Sequence, residues 1–309
     1  MLSQFKIGHY TNRESSTGCT VILPPDEIIA SASVRGASPG TRELALLSPE
    51  RKISSIHALL LTGGSAFGLN AAQGVVEYLE EQNKGYKTHY GIVPIVPAAV
   101  IFDLNIGDAK VRPTSADARF AAEKAEYNNR LMGSIGAGTG ATVGKWSGIE
   151  RAMKGGIGIS EITHGALKVA VIAVVNAVGD VIDKNGKIIA GAIDINNRFI
   201  ANDNPYIRWG KPDVGLVENT VLCAVMTNAA VSKQQAYYLA DRAHNGIARR
   251  IEPAHTSYDG DVTFVMAKPE KEADIDVISS MTVEAVEIAI LEAVKNADPV
   301  YGFKSYKNL

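Results

Sequence analysis

The 309-residue sequence predicts an α/β protein built as a four-layer αββα sandwich, two stacked sheets with helices on both outer faces. Several strand-like runs are apolar on both faces and so need cover on both sides. Helical spacing falls both early and late in the chain, and long strand-rich stretches lie between without strict strand–helix alternation. That pattern argues against a doubly wound parallel sheet. No repeat, low-complexity tract or long linker divides the chain, so residues 1–309 read as a single domain.

The elements follow in order. "SIHALLLTGGSAFGLNAAQGVVEYLEEQ" reads as a buried strand, a Gly-rich turn and a helix from about Ala66 to Gln82, with Ser65 as its cap. "GIVPIVPAAVIFDL" is a second buried strand region whose prolines mark bulges or edges. "TSADARFAAEKAEYNN" has helical spacing, capped by Ser115 or Thr114. "ALKVAVIAVVNAVGDVID" is β-branched and apolar on both faces, with Asn176 near the end of the strand and a turn at Gly179-Asp180. A polar turn running to Asn219 leads into Thr220 and the apolar strand Val221 to Met226. "VSKQQAYYLADRAHNGIARRI" opens with Ser232 and Gln235 at capping-box spacing and ends on arginines. "TVEAVEIAILEAVKNA" supplies a last amphipathic helix.

Composition narrows the function classes. A formal charge of −2 gives no electrostatic case for nucleic acid or an anionic membrane. The N-terminal stretch lacks a secretory pattern, and no apolar run approaches the roughly 18 residues of a spanning helix, so a cytoplasmic protein is expected. Cys19 and Cys223 suit neither a disulfide framework nor a zinc site, and no metal or cofactor is expected.

Several motifs tempt and fail. "GSIGAGTGATVGKW" has Thr139 where a phosphate loop needs glycine, and Trp146 where it needs a hydroxyl after Lys145. Its glycines instead let the backbone pass close to a ligand and present Lys145, whose plain alternative is a solvated surface lysine. "GGSAFG" has Phe67 where a nucleophile elbow needs glycine. "DINNRFIAND" lacks the glycine and glutamate of a calcium loop. The histidines form no ligand pair, and His244 reads as a packed residue of its helix. Asp259 and Asp261 flank Gly260 just before a strand, where close carboxylates perturb one another; the plain alternative is a solvated turn. The Asn176 amide could serve an oxyanion or only its turn.

Taken in order, "TGCTVILPP", "LTGGSAFGLNAAQGV", "GSIGAGTGATVGK", "VVNAVGDVID", "ENTVLCAVMTNA" and "HTSYDGDVTF" resemble the self-processing aminopeptidases. That family includes the L-aminopeptidase/D-amidase/D-esterases, the β-aminopeptidases and the nylon-oligomer (6-aminohexanoate-oligomer) hydrolases. The resemblance implies an Ntn-hydrolase-like fold and a precursor cut before a serine or threonine that opens a strand. The matching junction is Asn219-Thr220, giving subunits 1–219 and 220–309. A threonine after asparagine is more similar to the nylon-oligomer hydrolases. Carried over to this sequence, the supporting residues are Lys145, Asn176, Asp259 and Asp261, and Phe102 stands at a substrate contact where those hydrolases have a tyrosine. Independently, the glycine-rich turn at Gly64 and Ser65 leaves room for close packing or substrate approach. The resemblance further implies an amide hydrolase of peptides or ω-amino-acid oligomers that assembles as a homotetramer. A small-peptide aminopeptidase/D-amidase, acyl transfer to an amine, and a non-catalytic binding protein keeping the fold are the alternatives.

Overall fold

The computed structural model describes residues 1–209 and 219–309. The polar turn expected before Asn219 lies outside the described residues. Two main sheets, of six and five strands, are built from β1 (Lys6–Asn12), β2 (Thr17–Leu23), β3 (Ile29–Val34), β4 (Thr41–Arg42), β5 (Leu59–Thr62), β6 (Ala98–Val100), β7 (Glu126–Tyr127), β8 (Gly156–His164), β9 (Leu167–Asn176), β10 (Thr220–Ala229) and β11 (Val262–Lys271). The six-stranded sheet runs β4-β6-β5-β2-β1-β7 and the five-stranded one β8-β9-β10-β11-β3. Among the described residues, four α-helices cover them: α1 (Ala72–Glu81), α2 (Ser115–Glu123), α3 (Lys233–Arg250) and α4 (Ile275–Lys295).

Strand alternation produces the layers. On β9, Val169, Val171, Ala173 and Val175 pack with α3 and α4, while Ala170, Ile172 and Val174 face the other sheet. Val221, Cys223 and Val225 of β10 join the first set, and Leu222, Ala224 and Met226 the second. Across the six-stranded sheet, Cys19, Val21 and Leu60 pack on Val75, Leu79, Ala118 and Ala122 of α1 and α2. The order is therefore helices, six strands, five strands, helices, as the doubly apolar runs required.

Local departures have local causes. The expected helix from Ala66 to Gln82 is a 3-10 helix over Ser65–Ala71 followed by α1. Ser65 does not cap it: Gly64 holds the N-cap position and no side chain closes the turn. Gly64 (φ 85°) and Ser65 (φ 53°) both adopt left-handed backbone, which redirects the chain before the helix and puts the glycine, with no side chain to offer, at the N-cap position. Thr114, not Ser115, caps α2, in a reciprocal box with Asp117. The Ser232–Gln235 box opens α3 as expected. α4 starts earlier than its apolar pattern, at Ile275, where the Asp274 side chain accepts from the Asp276 N–H. Both cysteines are buried free thiols, packed as apolar residues.

Candidate active site

Thr220 begins β10, a strand buried along its whole length between β9 and β11. By alternation it shares the face of Leu222 and Ala224, so its side chain points into the gap between the sheets. The antiparallel register sets Asn176, last residue of β9, directly opposite Thr220. β10 and β11 run parallel, so the turn before β11 arrives at the same end. There Asn219 bridges Asp259, with the Asn219 N–H on the Tyr258 carbonyl at 3.0 Å.

The carbonyl of Asn219 receives two donors. The Thr220 hydroxyl lies 2.5 Å from its oxygen, and the Gly260 N–H donates to the same oxygen at 2.7 Å. The hydroxyl of one residue and a fixed backbone donor thus converge on the peptide group that joins 219 to 220. A Cβ on Gly260 would sit 2.9 Å from the Thr220 hydroxyl and 2.5 Å from the Ser38 carbonyl oxygen. Only glycine leaves that hydroxyl its room.

The two carboxylates of the turn are buried and differently held. Asp259 accepts from the Thr256 N–H (2.8 Å) and hydroxyl (2.7 Å) through one oxygen, while the other is 3.5 Å from the Val178 N–H. Burial, reinforced by the charge of Asp261, pushes Asp259 up to about 6. Asp261 accepts from the Val221 N–H at 2.7 Å through Oδ1 and meets His255 Nδ1 at 2.7 Å through Oδ2. The pair therefore brackets the 219–221 backbone and is not a solvated turn.

Lys145 is likewise not a surface residue: it has no exposed area, and its Nζ donates to Asn176 O (3.0 Å) and Oδ1 (2.8 Å). The glycine run explains its position. Gly144 (φ 76°) turns the chain back so that the 144 and 146 N–H groups bond the carbonyls of Gly179 and Val178. The Thr142 N–H also reaches Asn176 Oδ1, and the Asn176 amide nitrogen donates to the Phe102 carbonyl at 3.0 Å. Asn176 is thereby fixed in rotation with one amide proton already committed. Desolvation lowers Lys145 to about 7, against the opposing attraction of Asp259.

Ser65, Phe102, Asn219 and Thr220 line one cleft of about 190 Å³ with Ser38, Pro39 and Gly40. Gly64 is not among its lining residues; its N–H donates at 2.7 Å to Asp103. Asp103 and Lys154 were not among the residues singled out from sequence. Asp103 is buried, accepts also from the Thr17 hydroxyl at 2.7 Å, and is pushed upward by burial. Lys154 is fully buried, bonds the Thr139 and Ala141 carbonyls and is lowered to about 7 by desolvation. A lone aspartate closing the apolar run "PAAVI" was a usable signal for Asp103. Nothing in "MKGG" marks Lys154. The Gly260 N–H, a backbone donor, carries no side-chain signal at all.

A family model described as peptidase family S58 matches residues 3–308. The chain belongs to that family. An uncharacterized aminopeptidase of Mycobacterium tuberculosis (strain ATCC 25618 / H37Rv) is 33% identical, over 98% of this chain and 95% of its own. The 6-aminohexanoate-oligomer endohydrolase of Paenarthrobacter ureafaciens is 30% identical, over 85% and 72%. The L-aminopeptidase D-Ala-esterase/amidase of Ochrobactrum anthropi, a variant of the Ntn-hydrolase fold, superimposes with a TM-score of 0.72 at 17% identity, covering 97% of this chain and 86% of that one. This S58 chain thus has an Ntn-hydrolase-like fold and is a hydrolase acting on amide bonds. No helix among the described residues is long and apolar enough to cross a membrane.

Proposed function

We propose that this S58 enzyme activates itself by cleaving Asn219-Thr220 and then uses Thr220 as the nucleophile on peptide or ω-amino-acid oligomer amides. The observation that carries this reading is the convergence of the Thr220 hydroxyl and the Gly260 N–H on the Asn219 carbonyl. In the first event the Thr220 hydroxyl adds to the Asn219 carbonyl carbon while the Gly260 N–H receives the developing oxyanion. The C–N bond then breaks, the nitrogen takes a proton, and an ester joins Asn219 to the Thr220 oxygen. Water hydrolyses that ester, leaving the Asn219 carboxylate and a free Thr220 amine.

In turnover the neutral Thr220 amine takes the hydroxyl proton as the oxygen attacks a substrate amide bound in the cleft. Base assistance of this kind is worth about 10²–10⁴-fold. Asp259 and Asp261 exchange and orient protons at the nucleophile. Asn176, held by Lys145 and the Phe102 carbonyl, has a second amide proton to offer the tetrahedral intermediate. Lys145, near 7, supplies positive charge to the same region without a full permanent charge at neutral pH. Ser65 and Phe102 contact the substrate from the cleft wall. The homotetramer belongs to the same reading and is checked by light scattering.

The deciding experiment is a denaturing gel. Wild-type protein gives two bands, the smaller beginning at Thr220, and Thr220→Ala gives one band at 32.8 kDa. Efficient processing of that variant would refute the nucleophile.

A further inference from the structure

His255 sits beside the acid pair in an arrangement that the proposed chemistry does not use. Its Nδ1 lies 2.7 Å from Asp261 Oδ2, and its own N–H points at the same oxygen at 3.3 Å. A left-handed backbone (φ 55°) turns both groups toward one carboxylate. On the far side of the ring, Nε2 faces the His244 carbonyl oxygen at 3.3 Å. Both ring nitrogens thus meet oxygens. A neutral imidazole donates from one nitrogen only, and a carbonyl never donates, so the imidazolium is the form that serves both contacts.

The groups around the ring agree. His244, on α3, packs edge-on at 4.9 Å and is lowered to about 4 by desolvation, so it brings no competing charge at neutral pH. Arg35, following β3, opposes a second cation, but it is committed to Asp241 through contacts of 2.8 to 3.1 Å. Burial alone would lower His255; the hydrogen bond and charge of Asp261 outweigh it and the net shift is upward. Asp259 in turn feels Asp261 and, across the site, Lys145.

We propose that His255 is a positioning residue which, as an imidazolium, fixes Asp261 as the charged, hydrogen-bonded member of the acid pair and leaves proton exchange to Asp259. The two oxygens of Asp261 are occupied by the Val221 N–H and by His255, whereas among the described residues Asp259 Oδ1 has only the 3.5 Å approach of the Val178 N–H. Removing the cation leaves Asp259 facing its neighbouring carboxylate uncompensated, so Asp259 retains its proton to higher pH. The role rests on the reading of Thr220 as the nucleophile, because it assigns which carboxylate serves that residue.

Two measurements test it. Nitrogen-15 spectra of the histidine-labelled wild-type protein at pH 7, where an ordinary histidine has mostly lost its proton, are expected to show both His255 ring nitrogens protonated. A neutral ring would overturn the proposal, and this needs neither a variant nor a cleaved chain. The second is the pH dependence of self-cleavage in precursor made by cell-free translation. In His255→Asn, an amide that can keep the bond but not the charge, the acid limb is expected about one pH unit higher, roughly a tenfold loss of rate on that limb. A profile superimposed on wild type would overturn it, since a merely structural amide leaves the limb in place. Should His255→Asn fail to fold, the nitrogen spectra decide alone. If wild-type precursor is never cleaved, the nucleophile reading fails, and the spectra still report separately on the charge of His255.

Discussion

At the residue scale, Gly260 does two things for Thr220: its N–H holds the Asn219 carbonyl, and its missing side chain leaves room for the hydroxyl. Gly260→Ala keeps the donor but places a Cβ 2.9 Å from that hydroxyl and 2.5 Å from the Ser38 carbonyl. The closer clash is with backbone, so the 259–261 turn must shift and the Thr220 hydroxyl is displaced with it. Displacements near 1 Å cost about 10²-fold, so pulse-chase of the variant precursor is expected to show processing slowed by about that factor. Processing at the wild-type rate would mean the space is not needed. The sequence pattern marked Thr220, Lys145, Asn176, Asp259 and Asp261 as residues at the end of an apolar run or in a glycine-rich turn. It left a solvated lysine and a solvated turn equally open, and only the family resemblance drew them into one candidate site. What escaped were groups whose role comes from contact alone: a backbone N–H, and a lysine whose partners are carbonyls 13 and 15 residues away.

At the element scale, β10 is the member on which the site depends, since β9 holds it from one side and β11 from the other. Its Leu222 has no exposed area and faces the layer between the sheets, two residues from Thr220. Leu222→Ala is expected to cost about 2–5 kcal/mol, read as a lower urea midpoint with the fold retained. A change under about 0.5 kcal/mol, the size of ordinary surface substitutions, would contradict the packing described. The sequence resolved long, doubly apolar strands such as β9 and β10 well. It did not resolve the Gly64-Ser65 turn, because left-handed torsions at a serine have no pattern signal and are imposed by packing.

At the scale of the whole molecule, two fully buried lysines make stability depend on pH. Lys145 and Lys154 fall to about 7 in the folded state from an ordinary value of 10.5. Between those values the unfolded chain binds more protons, so their contribution makes stability rise with pH above about 7. Each such group adds at most about 1.4 kcal/mol per pH unit. The buried thiols Cys19 and Cys223, pushed upward by burial, act in the opposite direction above their ordinary value of 9.0. Urea midpoints between pH 7 and 8.5 are therefore the informative window. Lys145→Met is expected to flatten the rise there; an unchanged slope would show that Lys145 does not lose its proton in this range.

The placement of β10 bears on what a cut at its first residue can accomplish. Severing the chain at 219–220 frees an end that remains stitched into the middle of a sheet, with a neighbour on each flank and helices pressing from behind. The break would thus separate connectivity from cohesion: two polypeptides, still one folded body, with the fresh amine delivered where the hydroxyl already lies.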